Sequence, residues 1–266
     1  MPEFLEIFSY PFVIRALTAG ALISICASVL GVILVLKHYS LIGHGLSEVG
    51  FASLSIASAL KIPPALVAAP SVIIASSVIM FVSQKFKTAG DTAIAVASSC
   101  ALALGIALSS GTSNSGNYLF GSVLAVSTED LIFSVALCLV IILIFIIFYN
   151  RIFLITYNED YARSLGINVT LYQFIISLLT ALVVVAGMRI TGTLLISGVI
   201  ILPALTARNL TGRFKTLVII SGIVSLIAFT AGLIISFIFN IPAGAGVIIS
   251  NTAILILTKI YKFIKR

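Results

Sequence analysis

Residues 37–56 read KHYSLIGHGLSEVGFASLSI, and they interrupt an otherwise nearly continuous succession of apolar runs. The stretch holds both histidines of the chain, His38 and His44, and Glu48, the one carboxylate lying well inside an apolar segment. On a helix, positions i and i+4 share a face with Cβ atoms roughly 5–6 Å apart, so His44 and Glu48 are placed to meet one ligand. Ionisable groups inside a membrane span are costly to keep, and by default they mark an ion or substrate route. Imidazole nitrogen with carboxylate oxygen suits zinc or manganese better than copper(I) or calcium. The alternative is a structural hydrogen bond between the two side chains at the loop end of a helix. His38, next to Lys37, reads as a solvated loop histidine.

Outward from this stretch the chain is hydrocarbon-soluble. Of its 266 residues 61% are hydrophobic and 9% charged, with no tryptophan, and the mean hydropathy is +1.27. A water-soluble domain cannot hide that much apolar surface. Backbone groups facing lipid must be paired internally, which leaves a helix bundle or a closed barrel. The apolar runs are continuous and far longer than the alternating ten-residue strands of a barrel, so the fold expected is an all-α integral membrane protein, a polytopic helix bundle. Apolar segments fall near 11–36, 45–60, 64–82, 91–110, 129–149, 169–188, 192–206, 216–239 and 242–260. The second and seventh are short, giving about eight or nine transmembrane helices, with a broken helix near 37–46. Such breaks are tolerated where backbone is buried in protein or lines a cavity, as at the binding sites of transporters.

Charge sets the orientation. With the C-terminus cytoplasmic, Lys37, Lys85, Lys87, Arg151, Arg163, Arg208, Arg213, Lys215, Lys259, Lys262, Lys265 and Arg266, twelve of the 15 basic residues, lie on the cytoplasmic side. Arg15, Lys61 and Arg189 fall towards the other side with Glu3, Glu6, Glu129 and Asp130. Cytoplasmic loops carry the excess of Lys and Arg, so the N-terminus is expected outside and the C-terminus inside. The same rule accounts for the net charge of +7 without nucleic acid as a partner. MPEFLEIFSYPF lacks a basic region ahead of its apolar run and does not read as a cleaved signal peptide. Cys26, Cys100 and Cys138 have no paired spacing and read as small buried hydrophobes.

No linker, low-complexity tract or repeat divides the chain, so residues 1–266 form one transmembrane domain in this reading. Asn158–Gly166 (NEDYARSLG) reads as a short cytoplasmic helix with Asn158 as N-cap and Gly166 at its C-terminal end. Residues 111–121, GTSNSGNYLFG, read as an uncharged external loop. Residues 192–215, GTLLISGVIILPALTARNLTGRFK, run through Pro203 to a basic tail with Arg208, Arg213 and Lys215. In NIPAGAGVII (residues 240–249), Pro242 and the small residues after it suit a helix starting in close contact with a neighbour. The phosphate-binding GxxxxGK[ST] loop and the H-E-x-x-H pair are missing from the sequence. An intramembrane metallohydrolase would also need a third ligand and a general base. The chain is therefore expected not to be an enzyme.

In this order and at these spacings, the motifs resemble the membrane permease of bacterial zinc and manganese ABC importers over almost the whole length. Ser40, Gly43, His44, Ser47 and Glu48 stand where that family carries S-x-x-G-D-x-x-S-H-A. Asp91-Thr92 is similar to its D-T at the start of a span, YLFGSVLAVSTEDL (118–131) to its external loop, and EDYARSLGI (159–167) to its cytoplasmic helix. Residues 192–208 are similar to its G-x-L-L-x-x-x-L-L-I-x-P-A-A-T-A-R, and residues 241–249 to its P-A-G-x-x-I-V. Where the family carries aspartate then histidine, this chain has His44 then Glu48, the pair in reversed order, which leaves the metal open.

The resemblance implies a multi-pass permease of a bacterial-type plasma membrane, embedded in lipid. Two copies would line a path, a separate cytoplasmic ABC ATPase would drive it, and an extracytoplasmic binding protein would deliver zinc or manganese as cargo, with no permanently bound cofactor. Pro203, Arg208, Gly212, Arg213 and Lys215 would form the loop that contacts the ATPase. The competing reading is a gradient-driven secondary metal transporter or channel. The scarcity of other intramembrane carboxylates argues against its proton relay.

Overall fold

The structure is a computed structural model that describes residues 11–85, 90–109, 119–121 and 127–264. Among the described residues are eleven helices: α1 Pro11–Leu36, α2 Ser40–Leu60, α3 Pro64–Lys85, α4 Gly90–Ser109, α5 Thr128–Ile147, α6 Tyr149–Tyr157, α7 Glu159–Ser164, α8 Val169–Thr191, α9 Ile196–Leu210, α10 Phe214–Phe239 and α11 Ala243–Ile264. Five of them, α1, α5, α8, α10 and α11, are long and apolar enough to cross a membrane by length and composition. Shorter apolar stretches lie in α3, α4 and α9. The eight or nine spans read from the sequence also take in these and α2, whose serines, His44 and Glu48 dilute its hydropathy. Glu3, Glu6, Lys87, Lys265 and Arg266 lie outside the described residues, as do most of 111–121 and the side chains of Lys85, Asp91 and Thr92.

α1 is the hub, buried along most of its length and packed on α5, α8, α9 and α10. Its small residues make this possible: Ala16, Ala19 and Ala27 are fully buried, the Phe229 ring lies over Gly20, and the Ile200 carbonyl of α9 fills the space a Cβ would take on Gly31. Between α10 and α11, Gly232 and Gly246 meet in the same way, backbone against backbone. Close approach through small residues is how helices gain contact in a medium as apolar as their own side chains. Serine hydroxyls reinforce the seams. Ser225 donates to the Ser24 carbonyl at 2.7 Å, and Ser76 and Ser177 pair at 2.7 Å between α3 and α8. A second group, α2 with α3 and α4, is attached to the hub mainly through α8. Cys26 and Cys138 are buried as expected, whereas Cys100 is exposed on α4.

The break near 37–46 is shorter than the sequence suggests. Only Lys37–Tyr39 leave the helix, and α2 is helical from Ser40 through Gly43 and Gly45. A mid-helix glycine costs about 1 kcal/mol, and packing overrides it here. Gly43 faces the Ile200 side chain and Gly45 faces Ile94, Ile79 and Ser98, where a larger residue at 45 would collide. The turn closes a Schellman motif, with Tyr39 N–H on the Leu34 carbonyl at 2.8 Å and His38 N–H on the Val35 carbonyl at 3.4 Å. His38 takes the left-handed position, φ 59°, that glycine usually fills.

Lys61 ends α2 the same way, at φ 55°, with Ile62 N–H on the Ala57 carbonyl at 2.9 Å. Its side chain is exposed, so Lys61→Gly is expected to stabilise the folded chain by about 1 kcal/mol through relief of left-handed backbone strain. Thermal unfolding in detergent checks this; a lower midpoint would contradict it.

Two other boundaries moved. The span expected at 129–149 ends at Ile147, turns at Phe148 and resumes as α6. Phe145, Tyr149, Phe153 and Tyr157 close around Phe214 at ring-centre distances of 5.5–6.2 Å. The segment expected at 192–206 becomes α9 at 196–210, and the residues before it pair with the short stretch 119–121: Leu194 N–H bonds the Leu119 carbonyl at 3.3 Å.

Candidate metal-transport site

One turn into α2, His44 Nε2 lies 3.2 Å from Glu48 Oε1. The i,i+4 geometry read from the sequence is realised, with an asymmetry that periodicity does not convey. The His44 side chain is 44% exposed and that of Glu48 7%. Glu48 Oε2 is buried without a hydrogen-bond partner. A buried carboxylate oxygen left unpaired is costly, and such an orphan asks for a ligand. The pair thus forms a one-sided donor set, with an imidazole at an open rim and a carboxylate oxygen free to bind beneath it. Ser47 Oγ turns away and donates to the His44 carbonyl at 2.7 Å.

Among the described residues no group of three or more His, Cys, Asp and Glu side chains comes together. Two protein donors would leave coordination positions on a bound cation open to water or to further donors. His38 is exposed in the turn and does not join the pair.

The five residues of the basic loop divide. Pro203 is buried inside α9, where it removes one helical hydrogen bond. Arg208, Gly212, Arg213 and Lys215 are exposed where α9 hands over to α10, with Phe214 buried between them. The Tyr157 hydroxyl donates to the Gly212 carbonyl at 3.5 Å, which sets α7 at the same end of the bundle. Asn158 caps α7 as expected, its Oδ1 accepting from Tyr161 N–H at 3.0 Å, and Gly166 follows at φ 76°.

Sequence reasoning missed a second charged cluster at this end. Lys37 Nζ lies 2.6 Å from Glu159 Oε1, and Gln173 Nε2 donates to the same oxygen at 2.6 Å. Burial pushes the Lys37 ammonium below its ordinary value, against the opposing pull of Glu159. At the other end, Ser127 and Asp130 form a capping box on α5, and Asp130 also pairs with Arg189 at the end of α8.

A model described as the ABC 3 transport family matches residues 9–262. The manganese transport system membrane protein MntC of Halalkalibacterium halodurans is 31% identical over 248 residues, covering 92% of this chain and 85% of that protein. The high-affinity zinc uptake system membrane protein ZnuB of Buchnera aphidicola subsp. Acyrthosiphon pisum is 28% identical over 250 residues, 92% of this chain and 95% of its own. Among solved structures, PsaBC from Streptococcus pneumoniae in complex with Fab superposes with a TM-score of 0.85 at 27% identity, covering 97% of this chain and 94% of that one.

Proposed function

Since the chain belongs to the ABC 3 transport family, and its relatives are membrane components of manganese and zinc transport systems, we propose that it is the permease of an ATP-driven importer for manganese or zinc. The observation that carries the reading is the His44/Glu48 pair with its unpartnered buried oxygen. A divalent cation cannot leave water for hydrocarbon without replacement ligands. His44 and Glu48 supply two of them, and the second copy of a homodimer faces the path with the same pair. The chain forms one domain over residues 1–266, crosses the lipid bilayer eight or nine times with its N-terminus outside, and leaves ATP hydrolysis to a separate subunit. A binding protein delivers the cargo from outside; nucleic acid has no part. Reconstituted with its ATPase and binding protein, the chain should take up manganese or zinc only with ATP. Uptake by the chain alone in ATP-free vesicles would replace this reading with a gradient-driven transporter.

In this assembly Arg208, Gly212, Arg213 and Lys215 form the surface offered to the ATPase, with Pro203 fixing the bend of α9 above them. Arg208→Glu reverses charge on an exposed contact without disturbing the core. Metal taken up per ATP hydrolysed should drop about fivefold or more, the low end of usual coupling energies. An unchanged ratio would remove the loop from the interface.

A further inference from the structure

Two elements distant in sequence, the α1–α2 turn and the short helix α7, are joined by one charge pair. Lys37 supplies the turn's side, and its side chain is 5% exposed. Its Nζ sits 2.6 Å from Glu159 Oε1 and 5.7 Å from the Tyr39 ring centre. Glu159, on the first turn of α7, is held in place by Gln173 of α8, while Arg163 Nη2 stands 3.9 Å from its other oxygen. Only the Lys37 end of the pair is withdrawn from water, so the attraction is screened less than that of a fully exposed pair, though more than that of a fully buried one.

On the turn's side the connection to the candidate site is short. The Schellman motif fixes the chain at His38 and Tyr39. α2 starts at Ser40, and His44 follows one helical turn later. On the other side, α7 exposes Asp160, Tyr161, Arg163 and Ser164 and anchors to the bundle through Ala162, which is fully buried. α7 also lies at the end that carries the exposed Arg208–Lys215 surface, as the Tyr157–Gly212 contact shows.

We propose that the Lys37–Glu159 pair is a coupling strut: it makes α7 and the α1–α2 turn move as one piece, so that a displacement of α7 by a partner on that face reaches His44 and Glu48 through the first turn of α2. Lys37 and Glu159 are then positioning residues that touch no cargo. The inference rests on the permease reading above. The pair is also unequal. Glu159 is 35% exposed and can hydrate if Lys37 is lost, whereas Lys37 has no such recourse if Glu159 is lost.

The test uses the permease assembled with its ATPase and binding protein in proteoliposomes. Lys37→Met keeps an unbranched side chain of similar volume, one atom shorter, and removes the charge together with its N–H donors. It is expected to assemble normally and to lower metal uptake per ATP about fivefold or more while ATP hydrolysis continues. Glu159→Ala should act in the same direction and also lower the yield of complex; the exchange Lys37→Glu with Glu159→Lys should recover part of the ratio. A purely structural pair would lower yield and leave uptake per ATP in the surviving complex unchanged, and that result overturns the strut. If the wild-type complex shows no ATP-dependent uptake, the permease reading fails on its own account. The strut is then decided by hydrogen exchange on the isolated chain. Glu159→Ala is expected to speed exchange at amides 42–48 as well as 160–165, and acceleration confined to 160–165 overturns it.

Discussion

Glu48→Ala is expected to abolish metal uptake, with a loss of more than about 100-fold, while the permease still assembles with its ATPase. The magnitude follows from the count of donors. Even loss of a residue that only supports a ligand costs about 10–100-fold in many metal sites, and here one of the two proposed ligands disappears. The oxygen that disappears includes the unpartnered Oε2, and what remains is one half-exposed imidazole. Glu48→Gln separates charge from shape: it keeps the volume and one acceptor oxygen, and uptake should still fall, because a neutral amide does not offset a divalent charge. His44→Ala should also lose uptake. Co-purification with the ATPase measures assembly, and isotope uptake with manganese and zinc in separate experiments measures transport. Wild-type uptake from either alanine variant would remove the pair from the path.

Gly31→Leu is expected to prevent recovery of folded protein altogether. A Cβ at residue 31 would stand 1.9 Å from the Ile200 carbonyl oxygen, and that neighbour is backbone of α9 that no rotamer change can clear. α1 and α9 would have to separate along a buried seam, giving up the contacts of Ala27, Ile200 and Ala204, all at most 1% exposed. The cost should reach at least about 3 kcal/mol, the upper part of the usual overpacking range. Gly212 gives the contrast, since a Cβ there meets nothing within 4 Å. Gly212→Ala should therefore purify like wild type. Monodisperse protein after detergent extraction is the readout, and a well-folded Gly31→Leu chain would mean that α1 and α9 do not meet as described.

The His44/Glu48 adjacency was legible in the sequence because it is local: helical periodicity alone puts i and i+4 on one face. Asn158 as the cap of α7 and Gly166 at its end were legible for the same reason, as each acts within a few residues of itself. Lys37 with Glu159 was not. Their pairing depends on how α1, α7 and α8 pack, and nothing in either neighbourhood names the other. The start of α2 was misjudged because Gly43 and Gly45 weigh against a helix locally, while their contacts with Ile200 and Ile94 weigh for one and come from other helices.

The sequence by itself determined the class of molecule: long uninterrupted apolar runs have no stable fold except helices in a membrane, and the rarity of charge within them makes His44 and Glu48 stand out. Only the tertiary structure decided which helices lie inside. α1 and α5 are both apolar all round, so neither carries a periodic mark of an inner face, yet α1 is buried along most of its length and α5 is largely exposed. The small residues of α1 admit four neighbours, while α5 presents Leu139, Leu143 and Ile146 outward. The burial of Glu48 beside an open His44 was decided at the same level, because exposure depends on which helices stand alongside α2.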